Sequence, residues 1–156
     1  MYKKLSLALL SLAFILALPR PSLAETVMEK VERTGTLTAG TRTDIVPYSY
    51  VNDKGELVGY SIDVLNLIKE ELQTRLGKPI QLELVAVDVE DRIPKIENRD
   101  VDIVCEDVAF TWQREQFVDF SLSYSVDGVK LIAKKGGNLG SPESLKGKRI
   151  GINPNT

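Results

Sequence analysis

The pattern between Gly59 and Pro79 restricts the fold most. Ile62, Leu65, Ile68, Leu72 and Leu76 recur at helical spacing on one face, and Gly77 with Pro79 stops the run. Apolar, strand-like segments stand on either side. Thr36–Thr41 comes before, and Ile80–Val87 follows, alternating through Ile80, Leu82 and Leu84 before turning wholly apolar, as a strand entering a buried sheet does. Another helix is predicted over roughly Val89–Asn98, capped by Asp88 and carrying Arg92 in its first turn. The apolar strand Val101, Ile103, Val104 follows it. Strand–helix–strand–helix–strand order predicts an α/β fold with a largely parallel sheet.

The remaining segments fit around that frame. Thr26–Arg33 reads as a short helix ended by Gly35, and Asp53-Lys54-Gly55 as a turn between short strands at Tyr48–Asn52 and Glu56–Gly59. Gly128–Lys134 and Lys148–Asn153 read as further strands. The glycine-rich loop Gly136–Pro142 runs into Glu143-Ser144-Leu145 and not a strand-to-helix phosphate cradle, so no nucleotide site is expected there.

Residues 1–24 are read as a signal peptide with cleavage after Ala24. Met1-Tyr2-Lys3-Lys4 is a basic start, Leu5–Leu18 is an unbroken apolar and small-residue run, and Ser22-Leu23-Ala24 is a peptidase-type ending. The apolar run falls short of the roughly 20 residues a membrane span needs. The leader holds Lys3, Lys4 and Arg20 and no acid, so the remainder carries 17 basic residues against 22 acidic ones, a net charge near −5. Mild acidity with mixed signs argues against a nucleic-acid surface. Histidine is absent, which excludes Ser-His-Asp and Cys-His catalysis and the commonest zinc ligand. Cys105 is the only cysteine and is read as buried packing, and no metal or cofactor is expected.

In parallel sheets, ligands sit beyond the carboxyl ends of the strands. Arg42 follows the first strand, Arg92 the strand Ile80–Val87, and the stretch Asp107–Arg114 the strand after that. Three loops therefore bring arginines to one rim. Arg114 stands in a brief helical segment before the corner Asp119-Phe120-Ser121. A guanidinium there can grip a carboxylate through two parallel hydrogen bonds.

Taken together, these motifs resemble the bacterial periplasmic solute-binding proteins of family 3, the polar amino-acid capture subunits of ABC importers. The motifs are Gly59-Tyr60-Ser61-Ile62-Asp63-Val64, Asp91-Arg92-Ile93-Pro94, Arg114-Glu115 with Val118-Asp119-Phe120-Ser121, and Ser144-Leu145-Lys146-Gly147-Lys148-Arg149-Ile150-Gly151. Gly59-Tyr60-Ser61, Arg92-Ile93-Pro94 and Lys134-Lys135-Gly136-Gly137 lean toward the glutamate/aspartate branch. The resemblance implies a type II periplasmic-binding-protein lobe, with a mostly parallel sheet flanked by helices. Lobe 1 would span 25–127, and 128–156 would hold the hinge crossover and the start of a second lobe only begun. The chain is thus expected to be truncated, presenting half of a cleft, with its last strand poorly supported.

By the same resemblance, Arg114 binds the ligand's α-carboxylate, and Asp107 offers an acceptor to the α-ammonium. Ala109 stands where relatives often have a hydroxyl. Arg42 and Arg92 would read a distal carboxylate, and Thr156 falls at a position near the ligand. Three positions depart from the family pattern. Val89 replaces a polar or aromatic residue, Ile45 stands where an aromatic often covers the ligand, and Glu106-Asp107 replaces small residues. Glu106 is read as a solvated acid at a strand end, and Asp107 as part of the ammonium clamp. The implied function is a monomeric periplasmic receptor that hands a free L-amino acid to an inner-membrane permease. A dehydratase on the same fold, with Glu106 or Asp107 as its acid, is one alternative; the ligand-sensing domain of a receptor is another.

Overall fold

A computed structural model describes residues 24–152 apart from 127, 129 and 138. The proposed leader lies outside these residues, save for Ala24, as do Asn153–Thr156. Helix α1 (Val27–Thr34) begins where Thr26 and Glu29 cap each other reciprocally: the Thr26 hydroxyl accepts the Glu29 N–H at 3.2 Å, and the Glu29 carboxylate accepts the Thr26 N–H at 2.8 Å. It ends at Gly35, whose left-handed backbone (φ 72°) lets its N–H donate to the Val31 carbonyl at 2.8 Å.

Strand β1 (Thr36–Thr41) is the centre of the main sheet. It pairs in parallel with β5 (Gln81–Ala86), from Thr36 opposite Gln81 to Thr41 opposite Ala86. On its other side it pairs with β6 (Ile103–Val104), Ala39 opposite Ile103 and Gly40 opposite Val104. Long helix α2 (Tyr60–Leu76) joins the small sheet to β5 and presents the expected face to the core. Leu65 packs with Ala39 and Cys105, while Leu72 packs with Val31, Leu37 and Ile80. Ile68 and Leu76 flank the second cluster. On the opposite side of β1, a Cβ at Gly40 would meet Val87 and Val104 methyls at 2.8 and 2.9 Å. The glycine is what lets those two valines close over the strand.

A second, antiparallel sheet is formed by β2 (Asp44–Ile45), β3 (Ser49–Val51) and β4 (Leu57–Val58). Asn52 organises its turn by accepting the Lys54 and Glu56 N–H groups at 2.9 and 3.0 Å. This sheet is fastened to the start of α2. The Tyr60 N–H donates to the Pro47 carbonyl (3.0 Å) and the Ser61 N–H to the Tyr48 carbonyl (2.8 Å), which satisfies donors a helix start leaves open. Gly59 is required at the junction: its φ is 128°, and a Cβ would lie 2.7 Å from the Pro47 carbonyl oxygen.

Three sequence expectations are corrected. Helix α3 spans Arg92–Glu97 rather than starting at Val89, because a turn precedes it. In that turn the Asp88 backbone N–H donates to the Asp91 carboxylate at 2.7 Å, and Asp91, not Asp88, stands at the helix start. Strand β5 is an edge strand with alternating exposure, and only the flanking Ile80 and Val87 are buried. The described residues of 128–134 and 148–152 form no strand, and Ile132 is fully exposed. Apolar character alone does not make a strand when nothing offers it a ladder partner. The weak support expected for the last strand agrees with this. Among the described residues no helix is long and apolar enough to cross a membrane.

Candidate functional site

The carboxyl ends of β1, β5 and β6 open into the loops that carry the polar residues singled out above. Arg42 follows β1 directly and is mostly buried. Its Nε and Nη2 donate to the two Asp44 oxygens at 2.9 and 2.8 Å, a bidentate pair. That partnership, followed by weaker attraction from Asp44, Glu106 and Asp107, raises the Arg42 guanidinium above its ordinary value despite partial burial. Asp44 is correspondingly held below the usual carboxylate range.

Arg92 opens helix α3 and points into the fold. Its side chain is 3% exposed and its Nη1 donates to Glu106 Oε1 at 3.1 Å, the Glu106 side chain being 0% exposed. Glu106 is therefore not the solvated acid the sequence suggested. It follows Cys105 at the end of β6 and is turned inward against the arginine. Burial pushes the Glu106 carboxyl up, against the pull of Arg92, with Asp107 adding to the rise and Arg42 opposing it. Its second oxygen, Oε2, is buried with no hydrogen-bond partner. Nothing in the local pattern showed this. The available signal was Arg92 itself, because a guanidinium buried on an inward helix face calls for an acid.

Arg114 lies in a one-turn 3₁₀ segment (Arg114–Gln116) and is half-buried. Its Nη1 donates to the Ala109 carbonyl at 2.8 Å, and its backbone N–H to the Thr111 hydroxyl at 3.1 Å. Burial, then the Arg92 charge, pulls its guanidinium below the ordinary value, and Glu106 opposes that. Arg92 thus acts on Arg114, and all three arginines interact with Glu106. Asp107 and Ala109 are exposed, Val89 and Ile45 half-buried, and Thr156 lies outside the described residues. Three cations face three carboxylates here: Arg42, Arg92 and Arg114 against Asp44, Glu106 and Asp107.

Tyrosines tie this rim to the segment that follows it, which sequence reasoning missed. The Tyr124 hydroxyl donates to the Glu106 carbonyl and lies 3.6 Å from the Cys105 sulfur. The Tyr60 hydroxyl donates to the Tyr124 carbonyl at 2.9 Å, and the Tyr48 and Ser125 hydroxyls meet at 2.8 Å. Burial pushes both the Tyr124 hydroxyl and the Cys105 thiol up, so neither ionises near neutrality. Cys105 is buried packing, as expected. Beside Arg114, Phe110 stacks edge-on with Trp112 and Phe120 at centroid distances of 5.3 and 5.4 Å. Among the described residues no cluster of three His, Cys, Asp or Glu side chains could hold a metal. A groove of roughly 370 Å³ lined by Met28, Leu67, Leu72 and Arg75 lies between α1 and α2 and includes none of the rim residues.

A parallel α/β lobe with charged loops at its strand ends defines the class, and sequence comparison gives the family. The chain belongs to the bacterial extracellular solute-binding proteins, family 3, which it matches over residues 37–146. It is 32% identical over 134 residues to a glutamate/aspartate import solute-binding protein of Salmonella typhimurium, covering 85% of this chain and 44% of the relative. An L-glutamate/L-aspartate-binding protein of Pseudomonas aeruginosa is 33% identical over 149 residues, covering 92% and 49%. An L-cystine-binding protein of Escherichia coli is 27% identical over 130 residues, covering 82% and 47%. Among solved structures, an ancestral amino-acid-binding protein described as a precursor of cyclohexadienyl dehydratase superposes with a TM-score of 0.57 at 28% identity. It covers 64% of this chain and 42% of that one. The chain spans about half the length of the curated relatives it matches.

Proposed function

We propose that the protein is the solute-capturing component of a bacterial amino-acid importer, exported to the periplasm and delivering a free L-amino acid to a permease of the ABC type. The observation that carries this reading is Arg114. Its guanidinium is half-buried at the strand-end rim and held by the Ala109 carbonyl, a placement suited to gripping an α-carboxylate. Asp107, exposed beside it, would take the α-ammonium group. Ala109 has no hydroxyl to donate to that carboxylate, so Arg114 would carry more of it than with a serine or threonine at position 109. Val89 and Ile45 would wall the ligand on its apolar side, and Thr156 would meet it from the segment beyond.

The finer reading, glutamate or aspartate, is supported by identity of 31–33% to proteins named for those ligands, and by Arg42 at the strand-end rim. Proteins named for cystine, glutamine and arginine also match at 27–32%, so the ligand proposed here is the wider class. The segment 25–127 would form the first lobe and 128–156 the crossover into a second, the cleft closing by a hinge between them. The likeness to a precursor of cyclohexadienyl dehydratase favours a second reading, a dehydratase on the same fold.

The test is calorimetry on the exported protein at the full length its gene encodes. A panel of L-amino acids would be titrated beside the same compounds lacking the α-carboxylate. At least one amino acid should bind, and its decarboxylated amine should bind at least roughly tenfold more weakly. Equal binding of acid and amine would contradict the role given to Arg114. Turnover of a cyclic acid without amino-acid binding would establish the dehydratase instead.

A further inference from the structure

The two arginines expected to read a distal carboxylate already face carboxylates of the chain itself. For Arg42 the partner is Asp44, which is largely exposed and can swing aside at little cost. For Arg92 the partner is Glu106, and both side chains are sealed from solvent. A ligand carboxylate directed at Arg92 would have to sit beside the Glu106 carboxylate in a desolvated place, where like charges repel strongly. Meanwhile Glu106 Oε2 is a buried acceptor with nothing donating to it. Its charge also reaches both neighbouring loops, acting on Arg42 and on Arg114.

From this geometry we infer that Glu106 is a specificity-determining residue, which occupies Arg92, bars a distal carboxylate from it and so selects against amino acids with an acidic side chain. The inference rests on the amino-acid-binding reading above and names the ligand class for that same site. Glu106 plays the part that the ligand's own acidic side chain would otherwise play. Arg92 is then a structural counter-ion and not a ligand-reading group.

Glutamate and glutamine differ only at the distal group, so their affinity ratio isolates the effect. The full-length exported protein would be titrated with each, as wild type, Glu106→Gln and Arg114→Ala. Wild type should bind glutamine at least tenfold more tightly than glutamate. Glu106→Gln keeps the size and the hydrogen bond to Arg92 while removing the charge, and should shift that ratio at least tenfold toward glutamate. Arg114→Ala should weaken both ligands together, without moving the ratio. A wild type that prefers glutamate overturns the inference even if Glu106→Gln fails to fold. So does a ratio that Glu106→Gln leaves unmoved. Binding of neither ligand nor of any other amino acid overturns the receptor reading itself, a result distinct from either ratio.

Discussion

Replacing Asp102 by alanine should loosen the lobe at the point where three elements meet. The Asp102 side chain is 3% exposed. One of its oxygens accepts the Lys30 ammonium at 2.7 Å, and the other accepts the Thr38 backbone N–H at 2.9 Å. It therefore joins α1, β1 and the entry to β6. A hydrogen bond to a charged group contributes about 1.5–3 kcal/mol, and a buried donor left unsatisfied costs about 1–3 kcal/mol. Lys30 is 30% exposed, so its share is screened and falls near the surface-pair range of about 0–1 kcal/mol. Asp102→Ala should then cost about 2–4 kcal/mol, and Lys30→Ala less, since it leaves the Thr38 bond intact. Urea unfolding followed by circular dichroism gives both numbers from the midpoint shift at constant slope. Equal costs for the two variants would refute the reasoning, because the buried backbone bond would then contribute nothing.

Other consequences follow from the same geometry. The Glu106 carboxyl is raised in the folded chain, so the folded state holds its proton after the unfolded state has lost it. Stability from this group is therefore present below the ordinary carboxylate value of about 4.3 and declines as pH rises above it. The stability of wild type relative to Glu106→Gln should fall between pH 4 and the neutral range; a difference that rises with pH would contradict the burial of this carboxyl. Gly59→Ala forces an L side chain into a positive-φ position against backbone oxygen and should cost about 2–4 kcal/mol. Thermal unfolding within a degree of wild type would show that the junction of the small sheet with α2 is not so constrained.

Much of the fold was readable because it depends on local regularities. The Ile62–Leu76 face, the turn at Asp53-Lys54-Gly55, and the stops at Gly35 and Gly77 are each written in a few adjacent residues, and each appears in place. Arg42 and Arg114 could be placed on one rim because strand order fixes where loops emerge. Glu106 could not be read in the same way. Its partner Arg92 is fourteen positions earlier on another element, and neither periodicity nor capping reports which way a residue turns after a strand ends. Tyr124 was hidden for a similar reason: its hydroxyl bonds a backbone carbonyl eighteen residues back. The apolar runs after Gly128 show the converse. Their composition suits strands, but pairing decides whether strands form, and Leu131, Ile132 and Ile152 stand exposed.

The central claim, that Arg114 grips the carboxylate of an amino acid, is tested most directly by Arg114→Lys in the full-length protein. Lysine keeps the positive charge and loses the planar fork. Calorimetry with whichever amino acid the wild type binds should show affinity reduced at least roughly tenfold, with the far-ultraviolet circular dichroism spectrum and thermal midpoint unchanged. Undiminished binding in that variant would place the carboxylate elsewhere and contradict the account.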